Sequence, residues 1–180
     1  MKTKKIINDY ILVVKESGIP DSGLGLFTES DIKRGALILP YEGDILTMKE
    51  VRERYGDRIQ TAPYLYFVSY KKCVDALYNI EAFARYANDA NGFVTYEGVK
   101  NNSEFTNVRG VPYIKATKNI KAGSEILVDY GGDYWKVKKQ QLAEEQGLST
   151  KKSKPLEPQK KKSLKPKKKK KKKPAAPKEA

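Results

Sequence analysis

Along residues 6–130 apolar and polar positions alternate in short runs, each broken by glycine, proline, asparagine or aspartate. A period of two buries one face of a strand, so the pattern predicts many short β-strands. The first covers residues 6–14, centred on Ile11, Leu12, Val13 and Val14. Residues 22–27 read as a flexible turn feeding a strand, 31–35 as a turn, and 36–41 as a strand ending at Glu42-Gly43. Thr47 followed three residues later by Glu50 is a capping-box pattern, which predicts a short helix over 48–55 closed by Gly56. Residues 64–70 form an aromatic strand, 73–77 a second apolar piece and 80–87 a helical turn. Short strands follow over 93–99, 105–108 and 111–116, the last two joined through Arg109-Gly110. A turn over 118–123 leads to a final strand over 125–130. Residues 133–146 read as a helix stopped by Gly147. There is no internal repeat, and the fold class is mainly β (α+β) with a few short helices.

Charge separates the chain into two parts. Of the net +14, residues 149–180 carry +13, from 15 lysines against Glu157 and Glu179, with an unbroken lysine run over 167–173. The remaining 148 residues are close to neutral at +1. The lysine-rich stretch holds too little apolar surface to fold and repels itself, so it is expected to be a disordered basic tail. The chain has one cysteine, Cys73, and no histidine. That excludes an internal disulfide framework, cysteine-clustered zinc, imidazole catalysis and histidine-ligated metals, so no metal is expected. No apolar run is long enough to span a membrane. The basic N-terminus is interrupted by Asn8, Asp9 and Tyr10 and does not read as a signal peptide, which makes an intracellular protein the expectation.

Several residues carry chemistry worth weighing. Gly23-Leu24-Gly25 lets the backbone approach a ligand closely, or is an ordinary turn between strands; it is not the Gly-x-Gly-x-x-Gly of dinucleotide folds. Asn88 in the stretch 84–91 can read an adenine edge through its carboxamide, or can cap a turn together with Asp89. Twelve tyrosines against one tryptophan is a high share. Tyr41, Tyr64, Tyr66, Tyr86, Tyr130 and Tyr134 all suit positions that need an apolar wall with a hydrogen-bonding tip, or are half-buried core residues.

The order of these pieces is more telling than any one of them. Gly23-Leu24-Gly25-Leu26-Phe27 is followed by Tyr41-Glu42-Gly43, Val74-Asp75-Ala76, Ala84-Arg85-Tyr86-Ala87-Asn88, Lys121-Ala122-Gly123-Ser124-Glu125-Ile126 and Asp129-Tyr130-Gly131. This succession resembles the SET domain of protein lysine methyltransferases over roughly residues 6–135. The resemblance implies a β-clip of several short curved sheets with a pseudoknot-like C-terminal crossing. It divides the chain into a SET-like catalytic domain (1–135), a C-terminal helix (136–148) and the lysine-rich tail (149–180).

The same resemblance implies S-adenosylmethionine as methyl donor, held by Gly23, Leu24 and Gly25 and wrapped by Arg85, Tyr86, Asn88 and Asp89, with Tyr134 and Trp135 covering it. Tyr130 would be the catalytic tyrosine, lining a lysine channel at the methyl group, with Tyr64 as a second catalytic wall and Tyr66 and Val128 lining the channel. Val128 falls where some members carry a bulkier aromatic residue that limits the number of methyl groups. Asp89 replaces the family histidine, which places a carboxylate near a sulfonium. The family's second asparagine corresponds to Asn91, or to Asn102 if residues 92–101 are an insertion. No cysteine-rich segment follows Trp135, so the helix after it, or a homodimer partner, is expected to close the site.

The implied function is a protein lysine N-methyltransferase acting on a histone tail or another basic chromatin protein, in the nucleus (or the nucleus and chromatin of a host). The alternative is a SET-like binding module without catalysis, tethered to nucleic acid by its lysine-rich tail. Neither reading involves a membrane.

Overall fold

A computed structural model of the chain describes residues 3–145. The tail 149–180, the end of the expected C-terminal segment and the Gly147 stop lie outside the described residues.

The first apolar stretch is two strands. β1 (Thr3–Ile7) and β2 (Tyr10–Glu16) form an antiparallel hairpin with Ile7 opposite Tyr10. The turn residues Asn8 and Asp9 both have positive φ, at 49° and 66°, the left-handed pair that matches the twist of a two-residue hairpin. The expectation of one strand over 6–14 is corrected here, because Asn-Asp is turn chemistry in the middle of an apolar run. β3 (Leu24–Thr28) pairs antiparallel with the far edge of β2.

A second sheet contains β4 (Leu37–Pro40), β8 (Ser103–Val108), β9 (Val111–Ala116) and β10 (Val128–Asp129), in the order β10-β8-β9-β4. A third is formed by β5 (Asp44–Leu46), β6 (Leu65–Phe67) and β7 (Cys73–Asp75), with β7 central. Leu12, Leu26, Ile38, Ile114, Ile126 and Val128, from five strands and the segment before β10, have no solvent exposure and share one core. Each such side chain contributes about 1.5–3 kcal/mol of burial free energy.

α1 (Met48–Tyr55) begins at the Thr47–Glu50 capping box. The Thr47 amide donates to the Glu50 carboxylate at 2.7 Å, and the Glu50 amide donates to the Thr47 hydroxyl at 3.4 Å. Gly56, at φ 54°, ends the helix with its N–H on the Arg52 carbonyl and opens a 3-10 turn, Gly56–Thr61. The helix is held to β7 through the buried carboxylate of Asp75, which accepts from Arg54 Nη1 and Tyr55 Oη, both at 2.7 Å, and from the Leu77 amide at 2.9 Å.

The C-terminal crossing positions everything that follows. Residues 125–130 pair first with β3: Glu125 bridges Phe27, and the Ile126 amide donates to the Leu26 carbonyl at 2.7 Å. One residue later the segment changes partner. The Leu127 carbonyl accepts from the Asn102 and Ser103 amides, each at 3.0 Å, and the Val128 amide donates to the Asn88 carbonyl at 2.8 Å. β10 then runs parallel to β8 for two residues. The segment is thus passed between β3 and the loop 88–103, the pseudoknot-like crossing of a SET-type β-clip. A continuous strand over 125–130 does not form, because the partner changes within it.

Residues 93–99 are turns and not the expected strand. Gly92 precedes them, Gly98 lies among them, and Phe93 and Val94 are exposed. α2 (Gly132–Glu145) closes the described chain and carries Tyr134 and Trp135 in its first turn. No described helix is long and apolar enough to cross a membrane.

Candidate active site

The pivot of the site is a four-residue stretch. Buried Phe83 and Ala84 anchor the 3-10 turn Phe83–Tyr86, which sets the direction in which residues 85–88 leave it. From there Ala87 and Asn88 reach in two directions. The Ala87 carbonyl accepts the Tyr130 hydroxyl at 2.8 Å. The Asn88 carboxamide donates to the Leu24 carbonyl at 3.0 Å, while its main-chain carbonyl receives the Val128 amide. Two adjacent residues therefore join the glycine turn 23–25 to the tyrosine at the end of β10.

The two glycines of that turn have different reasons for being glycine. Gly23 sits at φ 68°, and a Cβ there would meet nothing within 4 Å, so its requirement is conformational and the space beside it is open. At Gly25 a Cβ would lie 2.2 Å from Glu125 Oε1. The Glu125 carboxylate occupies the place of a side chain, accepting from the Ser17 hydroxyl at 2.7 Å, the Gly18 amide at 2.8 Å and Asn88 Nδ2 at 3.4 Å. Leu24 between them is partly exposed at the start of β3.

Tyr130 follows β10 and stands in a group of aromatic rings. Trp135 lies nearly parallel to it at 5.9 Å, and Tyr134 meets it edge-on at 5.3 Å. Burial pushes the Tyr130 phenol far above its ordinary range, with Tyr134, Tyr41, Asp89 and Tyr64 adding to the shift. Burial also raises Tyr134, helped by Tyr64 and Asp89, and it raises Tyr41 against the opposing pull of Arg85. All three phenols therefore stay protonated at neutral pH. They offer O–H groups and ring walls but no phenolate.

Tyr64 is held in an unusual backbone conformation, φ 62° on a non-glycine residue, immediately before β6. Its carbonyl accepts the Tyr41 hydroxyl at 2.9 Å, and the Arg85 guanidinium lies over its ring at 4.0 Å. Arg85 also donates to the Leu77 carbonyl at 3.2 Å, while its Nε is buried without a partner among the described residues. The Tyr86 hydroxyl donates to the Ile80 carbonyl at 2.8 Å. Tyr66 packs on Tyr41 and Phe105, with ring centroids 6.1 and 5.0 Å away. Val128 has no solvent exposure and belongs to the main core, which Tyr66 and Tyr130 flank.

Asp89 is 5 % exposed, and its carboxylate is fully engaged. One oxygen accepts from the Asn91 amide at 2.8 Å and Asn101 Nδ2 at 2.7 Å; the other accepts from the Tyr130 amide at 2.9 Å and Trp135 Nε1 at 2.8 Å. Four N–H donors use the acceptor capacity of a carboxylate, so Asp89 is engaged inside the protein and offers no free oxygen to a ligand. Asn102 clamps the crossing, accepting from the Leu127 amide at 3.0 Å and donating to the Glu125 carbonyl at 2.7 Å.

Sequence reasoning gave no role to Glu125, Asn101 or Phe93. Their partners are distant in sequence: Glu125 lies over Gly25, and the Phe93 ring meets Trp135 edge-on at 5.4 Å. Only the tight Gly-x-Gly spacing hints that something must occupy the space above Gly25. A cavity of about 340 Å³ between α1, the turn 56–61 and α2 shares no residue with this group. Among the described residues no cluster of three or more acidic or cysteine side chains could hold a metal ion.

Comparison with known proteins places residues 23–131 in the SET domain family. N-lysine methyltransferase KMT5A of Xenopus tropicalis is 27% identical over 141 residues, which cover 71% of this chain and 40% of that protein. N-lysine methyltransferase KMT5A-A of Danio rerio is 27% identical over 124 residues, covering 63% and 33%. The chain thus spans well under half the length of the curated relatives it matches. Among solved structures, an apo ctPRC2 carrying mutated Ezh2 superposes with a TM-score of 0.52 at 25% identity, over 72% of this chain and 16% of that one.

Proposed function

The chain belongs to the SET domain family, and on that premise we propose that it is an S-adenosylmethionine-dependent protein lysine N-methyltransferase acting on a histone tail or another basic chromatin protein. The observation that carries the reading is the Ala87–Asn88 link, which fixes the glycine turn and the Tyr130 phenol relative to one another. A site that moves a methyl group between two molecules needs its donor side and its acceptor side held in register, because alignment alone accounts for several kcal/mol of barrier.

The residues present fit the methyl donor. Beside Gly23 the space is open to an approaching ligand, and the unpartnered Arg85 Nε is a donor without an acceptor. Gly23, Leu24, Arg85 and Asn88 would hold it, with Tyr86 and Asp89 shaping the wall and Tyr134 and Trp135 covering it. Gly25 contributes by letting Glu125 lie flat. The chemistry the donor supplies when bound is a methyl group on a sulfonium, an electrophile for a neutral amine.

The chain's own part is to receive a lysine and present it uncharged. At neutral pH only roughly one free lysine amine in a thousand is neutral. Rings of Tyr130, Tyr64 and Tyr134 surround the approach with apolar surface, which disfavours the ammonium. Because burial keeps the Tyr130 and Tyr134 phenols protonated, neither accepts the lysine proton, and water is the acceptor. The Tyr130 hydroxyl, fixed on the Ala87 carbonyl, keeps its remaining lone pairs for the substrate side. The neutral amine so presented would take the methyl group that the donor supplies when bound, the electrons of the broken carbon–sulfur bond leaving with the thioether.

Asp89 was the feature favouring a binding module without catalysis. Its four internal hydrogen bonds engage it with the protein's own donors, among them the Tyr130 main chain and the Trp135 indole, so the substitution leaves the Tyr130 region built, which supports the catalytic reading. The basic stretch 149–180 would direct the protein to the nucleus and hold it on nucleic acid by phosphate contacts. The test is a histone-peptide array with isotopically labelled donor. Incorporation on lysine-containing tails, lost when the lysine is replaced, supports the reading; donor binding without any transfer leaves the binding module in its place.

A further inference from the structure

We infer that Asp89 is a positioning residue that latches α2 over the site. This rests on the methyltransferase reading above and goes beyond it by assigning a device for closure within a single chain. The carboxylate is nearly excluded from solvent and takes two donors from the loop that frames the crossing, Asn91 and Asn101, on one oxygen. On the other oxygen it takes the Tyr130 main chain and the Trp135 indole. One side chain therefore fixes three pieces together: loop 89–101, the end of β10, and the first turn of α2.

The contacts around this latch point the same way. Gly131, at φ 90°, makes the sharp turn that brings α2 back over β10. Trp135 lies almost flat on Tyr130 at 5.9 Å and packs edge-on against Phe93 at 5.4 Å. Its ring reaches within 3.6 Å of where a Gly92 Cβ would be, so the loop is shaped to receive it. Thr61 Oγ1 donates to Gln141 Oε1 at 2.6 Å, which ties the middle of the same helix to the turn 56–61. The helix is pinned at both points, and its aromatic first turn forms a wall of the tyrosine group. Asp89 touches no reacting atom in this scheme; it acts through Tyr130 and Trp135.

The chain has one tryptophan beside its twelve tyrosines, so emission excited beyond the tyrosine absorption band reports Trp135 alone. In Asp89→Ala, Trp135 emission should shift to the red and become more open to acrylamide. Its kcat should fall about tenfold to a hundredfold, the range for a misplaced reactive geometry, with peptide KM changing less than threefold. Trp135→Phe removes only the indole donor and keeps a ring on Tyr130. It should lower kcat in the same direction, and the double variant should be no worse than Asp89→Ala. A folded Asp89→Ala with wild-type emission or wild-type kcat overturns the inference, as does additivity of the two substitutions. If Asp89→Ala does not fold, Trp135→Phe decides, and wild-type kcat in that variant overturns it. If the wild type transfers no methyl group, the functional reading fails, while the emission of Asp89→Ala still decides whether the latch exists.

Discussion

Replacing Gly25 with alanine should unseat Glu125, a residue one hundred positions away in sequence. The added Cβ would lie 2.2 Å from Oε1 and 2.9 Å from Cδ of Glu125, so the carboxylate has to leave. No positive φ restricts Gly25, which sits inside β3, so alanine itself meets no backbone strain there. What is lost is the set of bonds that the carboxylate makes: Ser17 Oγ at 2.7 Å, the Gly18 amide at 2.8 Å and the longer contact with Asn88. Counting the two short bonds at about 1 kcal/mol each, the partly exposed end of the usual range, the cost is about 2 kcal/mol. For a domain of this size that corresponds to a Tm about 6–8 °C lower. Glu125→Ala should cost the same for the same reason. The double variant should then cost no more than either alone, giving a coupling of about 2 kcal/mol in a double-mutant cycle. Denaturant unfolding of the four proteins measures it. A double variant about 4 kcal/mol below wild type would refute the argument that Gly25 is glycine because of Glu125.

Tyr130→Phe keeps the ring stack but removes the hydroxyl that binds the Ala87 carbonyl at 2.8 Å; it should cost about 1–2 kcal/mol of stability and lower kcat at least about tenfold, read from melts and initial rates. The rate should rise with pH through the neutral range as more substrate amine loses its proton, with no downturn from the Tyr130 or Tyr134 phenols, both raised by burial; a bell-shaped kcat/KM profile falling by about pH 9 would contradict this. Stability has the opposite pH dependence at the alkaline end. The folded chain holds protons on Tyr41 and Tyr130 that the unfolded chain releases near pH 10, so stability is full below about pH 10 and falls as pH rises above it; melts at about pH 9 and pH 11 check it. Val128→Tyr, if folded, should move products toward monomethyl-lysine by filling space beside Tyr130, and an unchanged product ratio by mass spectrometry would remove Val128 from the channel.

The architecture was legible where local chemistry agreed with tertiary structure. Thr47, Glu50 and Gly56 announce α1 without help from the rest of the chain, and they cap it as expected. The ordered motifs from Gly23 to Tyr130 carried the fold class and the family, because each is fixed by a backbone demand that few residues meet. The hairpin in 6–14 was missed on local turn chemistry at Asn8 and Asp9, whereas the other failures share one cause: partners far away in sequence. Residues 93–99 have β-favourable composition, yet they pair with no described strand, and Phe93 instead packs against Trp135. The last strand shrinks to Val128–Asp129 because its hydrogen bonds are divided between β3, Asn88 and Ser103. The role of Asp89 was not legible because its donors lie up to 46 residues downstream.

Closure of the site shows the same dependence. The sequence left the cover of the site open between the helix after Trp135 and a second subunit. Within one chain α2 already brings Tyr134 and Trp135 onto Tyr130, held by Asp89 and Thr61. The lysine-rich stretch follows α2 in the sequence.

The most direct test of the central claim is intact-mass analysis of a histone-tail peptide incubated with S-adenosylmethionine and either the wild-type protein or Tyr130→Phe. The account predicts peptide mass rising by whole methyl groups with the wild type, localised to a lysine, and strongly reduced with Tyr130→Phe at equal folded concentration. Methylation that is unchanged in Tyr130→Phe, or absent with a wild-type protein that binds the donor, would contradict it.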